Sequence, residues 1–69
     1  MVELYSRLKS LRTAAGMTQQ ELANAVRVSR KTINTVENGV FVPSTTLSLK
    51  IARALRVTVE DLFQLAADN

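Results

Sequence analysis

Apolar positions along the chain fall into helical registers punctuated by capping residues. Leu4, Leu8, Leu11 and Ala15 recur at the spacing of one helix face, and Gly16 behind them suits a left-handed helix end. Thr18 can cap the next helix while Glu21, three residues on, reaches back to complete a capping box. Ser29 supplies another N-cap. Helices over 19–26 and 30–38 would then gather Leu22, Ala23, Val26, Val28, Ile33 and Val36 into one inward set. Pro43-Ser44 marks a further start, with Leu47, Ile51, Ala54 and Leu55 facing inward over 45–55. Thr58 with Asp61 forms a second capping box, opening a last helix over 59–66 that buries Val59, Leu62 and Phe63. Adding a first helix over 2–15 predicts an all-α domain of five helices.

The outward side of the segment 30–38 carries the chemistry. Arg30, Lys31, Asn34 and Thr35 lie there, with Thr32 beside them. Arg and Lys suit guanine O6/N7 and phosphate, Asn suits adenine, and a Thr methyl can touch a thymine methyl. Two short helices joined by a tight turn, the second basic and amide-bearing, predict a DNA-reading surface.

Charge strengthens that expectation. The net charge is +3, but residues 5–56 hold all nine Lys and Arg against only Glu21 and Glu37, a balance of +7. Basic residues gathered in the middle of a chain favour a polyanion partner. With 69 residues the chain is read as one domain, 1–69, whose single core is marginal without help. It has no cysteine and no histidine, so disulfides and the usual zinc ligands are out of reach and no metal or cofactor is expected. Dimerisation is the remaining aid. No signal peptide or membrane span is legible, and a cytoplasmic protein with no membrane partner is expected. An enzyme is disfavoured, because the one close acid pair, Glu60-Asp61, is explained by a helix start that favours negative charge.

The chain resembles the Cro and phage-repressor type of helix-turn-helix transcriptional regulators. The resemblance rests on Leu8 and Arg12 with Gly16-Met17-Thr18-Gln19, on Glu21-Leu22-Ala23, Val28-Ser29, Ile33 and Glu37-Asn38-Gly39. It continues through Pro43-Ser44, Lys50-Ile51-Ala52, Ala54-Leu55 and Val59-Glu60-Asp61-Leu62-Phe63. It implies a lambda-repressor-like domain with the helix-turn-helix at helices 2 and 3, and a regulator of transcription, commonly a repressor, bound to double-stranded DNA.

On that frame the polar residues take distinct roles. Arg30, Lys31, Asn34 and Thr35 are the base-reading candidates. Gln19, at the first turn of the earlier helix, is expected to clamp the DNA backbone, with Ser29, Thr32 and Asn38 as further backbone contacts. Arg12 falls on the inward side of the first helix, where a bare charge is costly. The resemblance implies that it pairs with Glu37 as a structural link between the first helix and the recognition helix.

Two departures from the family stand out. The turn usually holds Gly at positive φ, and this chain has Arg27, strained by about 1 kcal/mol if the turn keeps its shape. The apolar run Val40-Phe41-Val42 comes after Gly39, where relatives commonly carry a basic or polar residue, and Phe41 is expected to be covered with Val40 partly exposed. A homodimer reading a palindromic operator is expected from size and target geometry, with Val57, Leu62, Phe63 and Leu65 as interface candidates. Alternative readings are a DNA-binding antitoxin that also grips a toxin protein, and a protein-binding adaptor that keeps the fold without touching DNA.

Overall fold

The computed structural model describes residues 4–65. In chain order these form β1 (Leu4–Ser6), α1 (Leu8–Ala14), α2 (Gln19–Val26), α3 (Arg30–Glu37), α4 (Thr45–Leu55), α5 (Val59–Leu62) and β2 (Phe63–Leu65). The described residues are mostly helical, five helices with one small two-stranded sheet that joins the first and last of these elements.

Starts of four helices are side-chain capped as their sequence demands. Thr18 and Thr58 each accept the backbone N–H of the residue three on and receive its carboxylate in return, closing both capping boxes. Ser29 caps α3 through the N–H of Thr32, and Ser44 caps α4 through that of Leu47. Each cap satisfies one of the N–H groups that a helix start leaves unpaired.

Ends of α1 to α4 share one device. A residue at positive φ comes after the last turn, namely Gly16 at 74°, Arg27 at 61°, Gly39 at 73° and Arg56 at 58°. The next residue then donates its N–H back to a carbonyl five positions earlier, as Met17 does to Arg12 (3.1 Å), Val28 to Ala23 (3.0 Å), Val40 to Thr35 (3.0 Å) and Val57 to Ala52 (3.0 Å). This is the Schellman arrangement, which uses carbonyls that a bare helix end would leave unpaired.

Between these helices lies a single apolar cluster. Leu8, Leu22, Ile33, Ile51 and Leu62, one from each helix, are wholly buried, with Val26, Val36, Leu47, Leu55 and Phe63 around them. At about 25 cal/mol per Å² of apolar surface removed from water, such residues supply the main driving force for folding. Among the described residues no helix is long and apolar enough to cross a membrane.

The ends depart from the predicted helices. Leu4–Ser6 is a strand, antiparallel to Phe63–Leu65, with Leu4 opposite Leu65, Tyr5 opposite Gln64 and Ser6 opposite Phe63. The first helix therefore starts at Leu8, and the fifth ends at Leu62. The predicted start at residue 2 and end at residue 66 lie outside the described residues. A non-local bond joins the two ends here, the Arg7 N–H donating to the Leu62 carbonyl at 2.7 Å, while locally Ser6 Oγ accepts the N–H of Leu8 at 3.3 Å. Phe63, at φ −130° and ψ 136°, leaves the helical path and its ring is buried.

Candidate nucleic-acid interface

Helix α3 is two-sided. Ile33 and Val36 are buried against α2 and the core. Arg30, Lys31 and Asn34 are exposed, and Thr32 and Thr35 are half-buried at the margin. Ser29 Oγ, besides capping the helix, lies 3.0 Å from Thr32 Oγ1. The Thr35 hydroxyl donates to the Thr32 carbonyl at 2.9 Å, so its hydrogen-bonding capacity is partly spent within the helix.

Behind this face lies an ion pair. Arg12 is 8% exposed although charged, and its Nε donates to Glu37 Oε2. Nη2 adds a longer bond to Glu37 Oε1 at 3.4 Å. Nη1 donates to the Met17 carbonyl at 2.7 Å. The guanidinium thus ties α1, the segment before α2 and the last turn of α3 together, and each charge is compensated where water is scarce.

A tertiary contact that the sequence does not announce joins that pair to the outer face. Gln19 Nε2 donates to Glu37 Oε1 at 3.0 Å and sits 3.5 Å from Asn34 Oδ1. With the amide so turned, Gln19 Oε1 accepts from Arg30 Nη1 at 3.2 Å. Asn38 Nδ2 donates to Asn34 Oδ1 at 2.9 Å. One amide therefore bridges a buried carboxylate and an exposed guanidinium, orienting Arg30 before any ligand arrives. Its signal in the sequence is faint: Glu37 sits one helix turn from Asn34, and Gln19 opens the neighbouring helix.

Other candidates land differently. Arg27 adopts the left-handed conformation expected of the turn, and its side chain is exposed. Phe41 is not covered: it is 46% exposed, with Val40 at 77% and Val42 at 61%. The N–H groups of both Val40 and Phe41 donate to the Thr35 carbonyl, which pins the loop to the end of α3 instead of letting it fold onto the core. Of the four interface candidates, Leu62 is wholly buried and Phe63 is 8% exposed. These two belong to the domain's own core and offer no surface, because the turn into β2 swings Phe63 inward. Val57 packs partly against the core, and Leu65 is 67% exposed.

Electrostatics differ between the helix starts. At α5 the Thr58 N–H donates to the Asp61 carboxylate at 3.0 Å. That bond, with the Thr58 hydroxyl and the Arg7 charge, holds the Asp61 pKa below its usual value. The first turn of α3 has no acid and carries Arg30 and Lys31 instead. An anion meeting this end would find both the positive pole of a helix and two cations.

Known proteins share this arrangement. A family model described as helix-turn-helix matches residues 8–62. The HTH-type transcriptional regulator YgzD of Bacillus subtilis is 39% identical over 64 residues, covering 93% of this chain and 97% of that protein. A regulator of the same description from Archaeoglobus fulgidus is 47% identical over 58 residues, 84% of this chain and 83% of its own length. Among solved structures, the restriction-modification controller protein C.AhdI from Aeromonas hydrophila superposes with a TM-score of 0.75 at 36% identity, covering 80% of this chain and 83% of that one. The clp gene regulator ClgR from Corynebacterium glutamicum gives 0.74 at 37% identity over 78% of this chain, which spans 57% of it. With its capped helix pair, its basic outer face and these likenesses taken together, the chain belongs to the DNA-binding helix-turn-helix transcriptional regulators of the Cro/C1 type.

Proposed function

We propose that the protein acts as a two-fold dimer that represses transcription from a palindromic operator, laying α3 of each protomer in the major groove. Arg30, Lys31, Asn34 and Thr35 read base edges in this reading, while Gln19, Ser29, Thr32 and Asn38 hold the phosphate backbone. The observation that carries it is the exposed cationic and amide face of α3 on a helix whose opposite side is locked by the core and by Arg12. Direct readout needs side chains presented on a rigid support, and Arg30 is already oriented through Gln19.

One recognition helix spans only a few base pairs, so specificity calls for two half-sites about 34 Å apart. The dimer contact then falls to Leu65 and Val57, with exposed Tyr5 on the adjacent strand, and not to Leu62 or Phe63. Repeated selection from a random duplex library tests the whole reading. A symmetric winner bound at least ~10³-fold more tightly than scrambled DNA at ~150 mM salt is expected. Failure to enrich any sequence would overturn it and turn attention to a protein partner.

A further inference from the structure

Beyond the recognition helix, three exposed cations converge where α2 ends against α4. Arg27, Lys50 and Arg53 line one groove of about 460 Å³ together with Ala25, Val26 and Ala54. Lys50 and Arg53 stand one helix turn apart on α4 and so share a face. None of the three is paired with an acid among the described residues. The groove is not isolated. Arg27 and Lys50 also line a second groove with Thr32 and Phe41, and those two residues line a third with Lys31. The residues lining all three include no Asp or Glu. An acid-free track therefore runs from Lys31 on the base-reading face, round the turn at Arg27, to Arg53.

We infer that this track binds the phosphate backbone of DNA flanking the half-site, with Arg27, Lys50 and Arg53 as sequence-independent phosphate contacts. The inference rests on the DNA-binding reading above. Continuity with the base-reading face favours DNA over an acidic protein, because a duplex seated on α3 already brings its backbone to the track's edge. The same inference gives a use to an arginine held at φ 61°, where Gly would be free of strain.

Counterion release supplies the test. Binding of the wild-type protein to an arbitrary duplex of about 40 base pairs is measured from about 50 to 200 mM salt. Beside it stand Arg27→Gln/Lys50→Gln/Arg53→Gln and a control, Arg56→Gln. Removing one phosphate contact lowers the slope of log K against log salt by about 0.9. The triple variant is expected to lose roughly 2 to 3 in slope per protomer and more than about tenfold in affinity at the lowest salt, with Arg56→Gln close to wild type. A second readout separates binding from folding: Arg27→Gly is expected to melt higher than wild type yet bind DNA more weakly. Wild-type slope in the triple variant, or a loss equalled by Arg56→Gln, would overturn the track while leaving DNA binding intact. Absence of binding by the wild-type protein itself would instead bring down the underlying reading.

Discussion

Two corners of this molecule share a sequence pattern and a backbone yet open onto helices of opposite charge. Ala25-Val26-Arg27-Val28-Ser29 joins α2 to α3, and Ala54-Leu55-Arg56-Val57-Thr58 joins α4 to α5. In both, an arginine at positive φ ends a helix, a valine N–H reaches back five residues at 3.0 Å, and a hydroxyl caps the next helix. The first corner leads into Arg30 and Lys31, and the second into Glu60 and Asp61. Acids at a helix start complement its dipole, whereas cations there oppose it by about 0.3–1 kcal/mol each. One corner is thus built for the helix it starts, and the other forgoes that stabilisation to present positive charge.

The widest divergence between the corners is expected in how each second helix is anchored. α3 leans on the Arg12–Glu37 pair, so Arg12→Ala would strand a buried carboxylate and cost about 3–5 kcal/mol. α5 leans on Leu62, and Leu62→Ala would cost about 2–5 kcal/mol through reduced burial and a cavity. At this chain length each kcal/mol moves the melting temperature by about 4–8 °C, so calorimetry resolves both. An unchanged melt for Arg12→Ala would show that the pair does not hold α3.

Relief of the strained turns should run the other way and be equal at the two corners. Arg27→Gly and Arg56→Gly are each expected to stabilise by about 0.5–1 kcal/mol, since the left-handed conformation penalises a side chain more than glycine's extra freedom costs. A fall at one corner alone would mean that its arginine makes contacts that offset the strain. Charge reversal sharpens the contrast further. Lys31→Glu should raise stability by about 0.3–1 kcal/mol in urea denaturation at low salt while abolishing DNA binding.

Acidification gives the smallest effect. The Asp61 pKa is lower in the folded chain, so its contribution is present above the ordinary carboxylate pKa and is lost as pH falls through the folded value. Asp61→Asn should therefore flatten the acid limb of a stability profile below about pH 4. The α3 corner, with Thr32 in the equivalent place, has no such limb to lose.

Helices α2, α3 and α4 are legible in the sequence because their signals are local. Thr18, Ser29 and Ser44 announce starts, and the apolar spacing between them announces faces. Arg27 is legible only through the family's turn. Arg56 escapes sequence reasoning, although the repeated pattern of Ala, an aliphatic residue, Arg, Val and a hydroxyl carries the information. β1 and β2 are hidden because Leu4, Leu8, Leu11 and Ala15 read continuously as one helix, and nothing near Leu4 records a partner at Leu65. Within the interface, exposure of Arg30, Lys31 and Asn34 comes directly from periodicity. The Gln19 bridge requires knowing that α2 and α3 cross where Glu37 lies, which is a tertiary fact.

The ribbon also bears on the order of events in folding. α2 and α3 can find each other across the short link 27–29, and their contacts reward closure early. Leu4 meets Leu65 only after nearly the whole chain has been gathered, and closing so long a loop is entropically dearer. A two-stranded ribbon has little stability of its own. Its amides should accordingly be the last to gain protection during refolding and the first to exchange with solvent, reporting on the fold as a clasp that shuts after the garment is on.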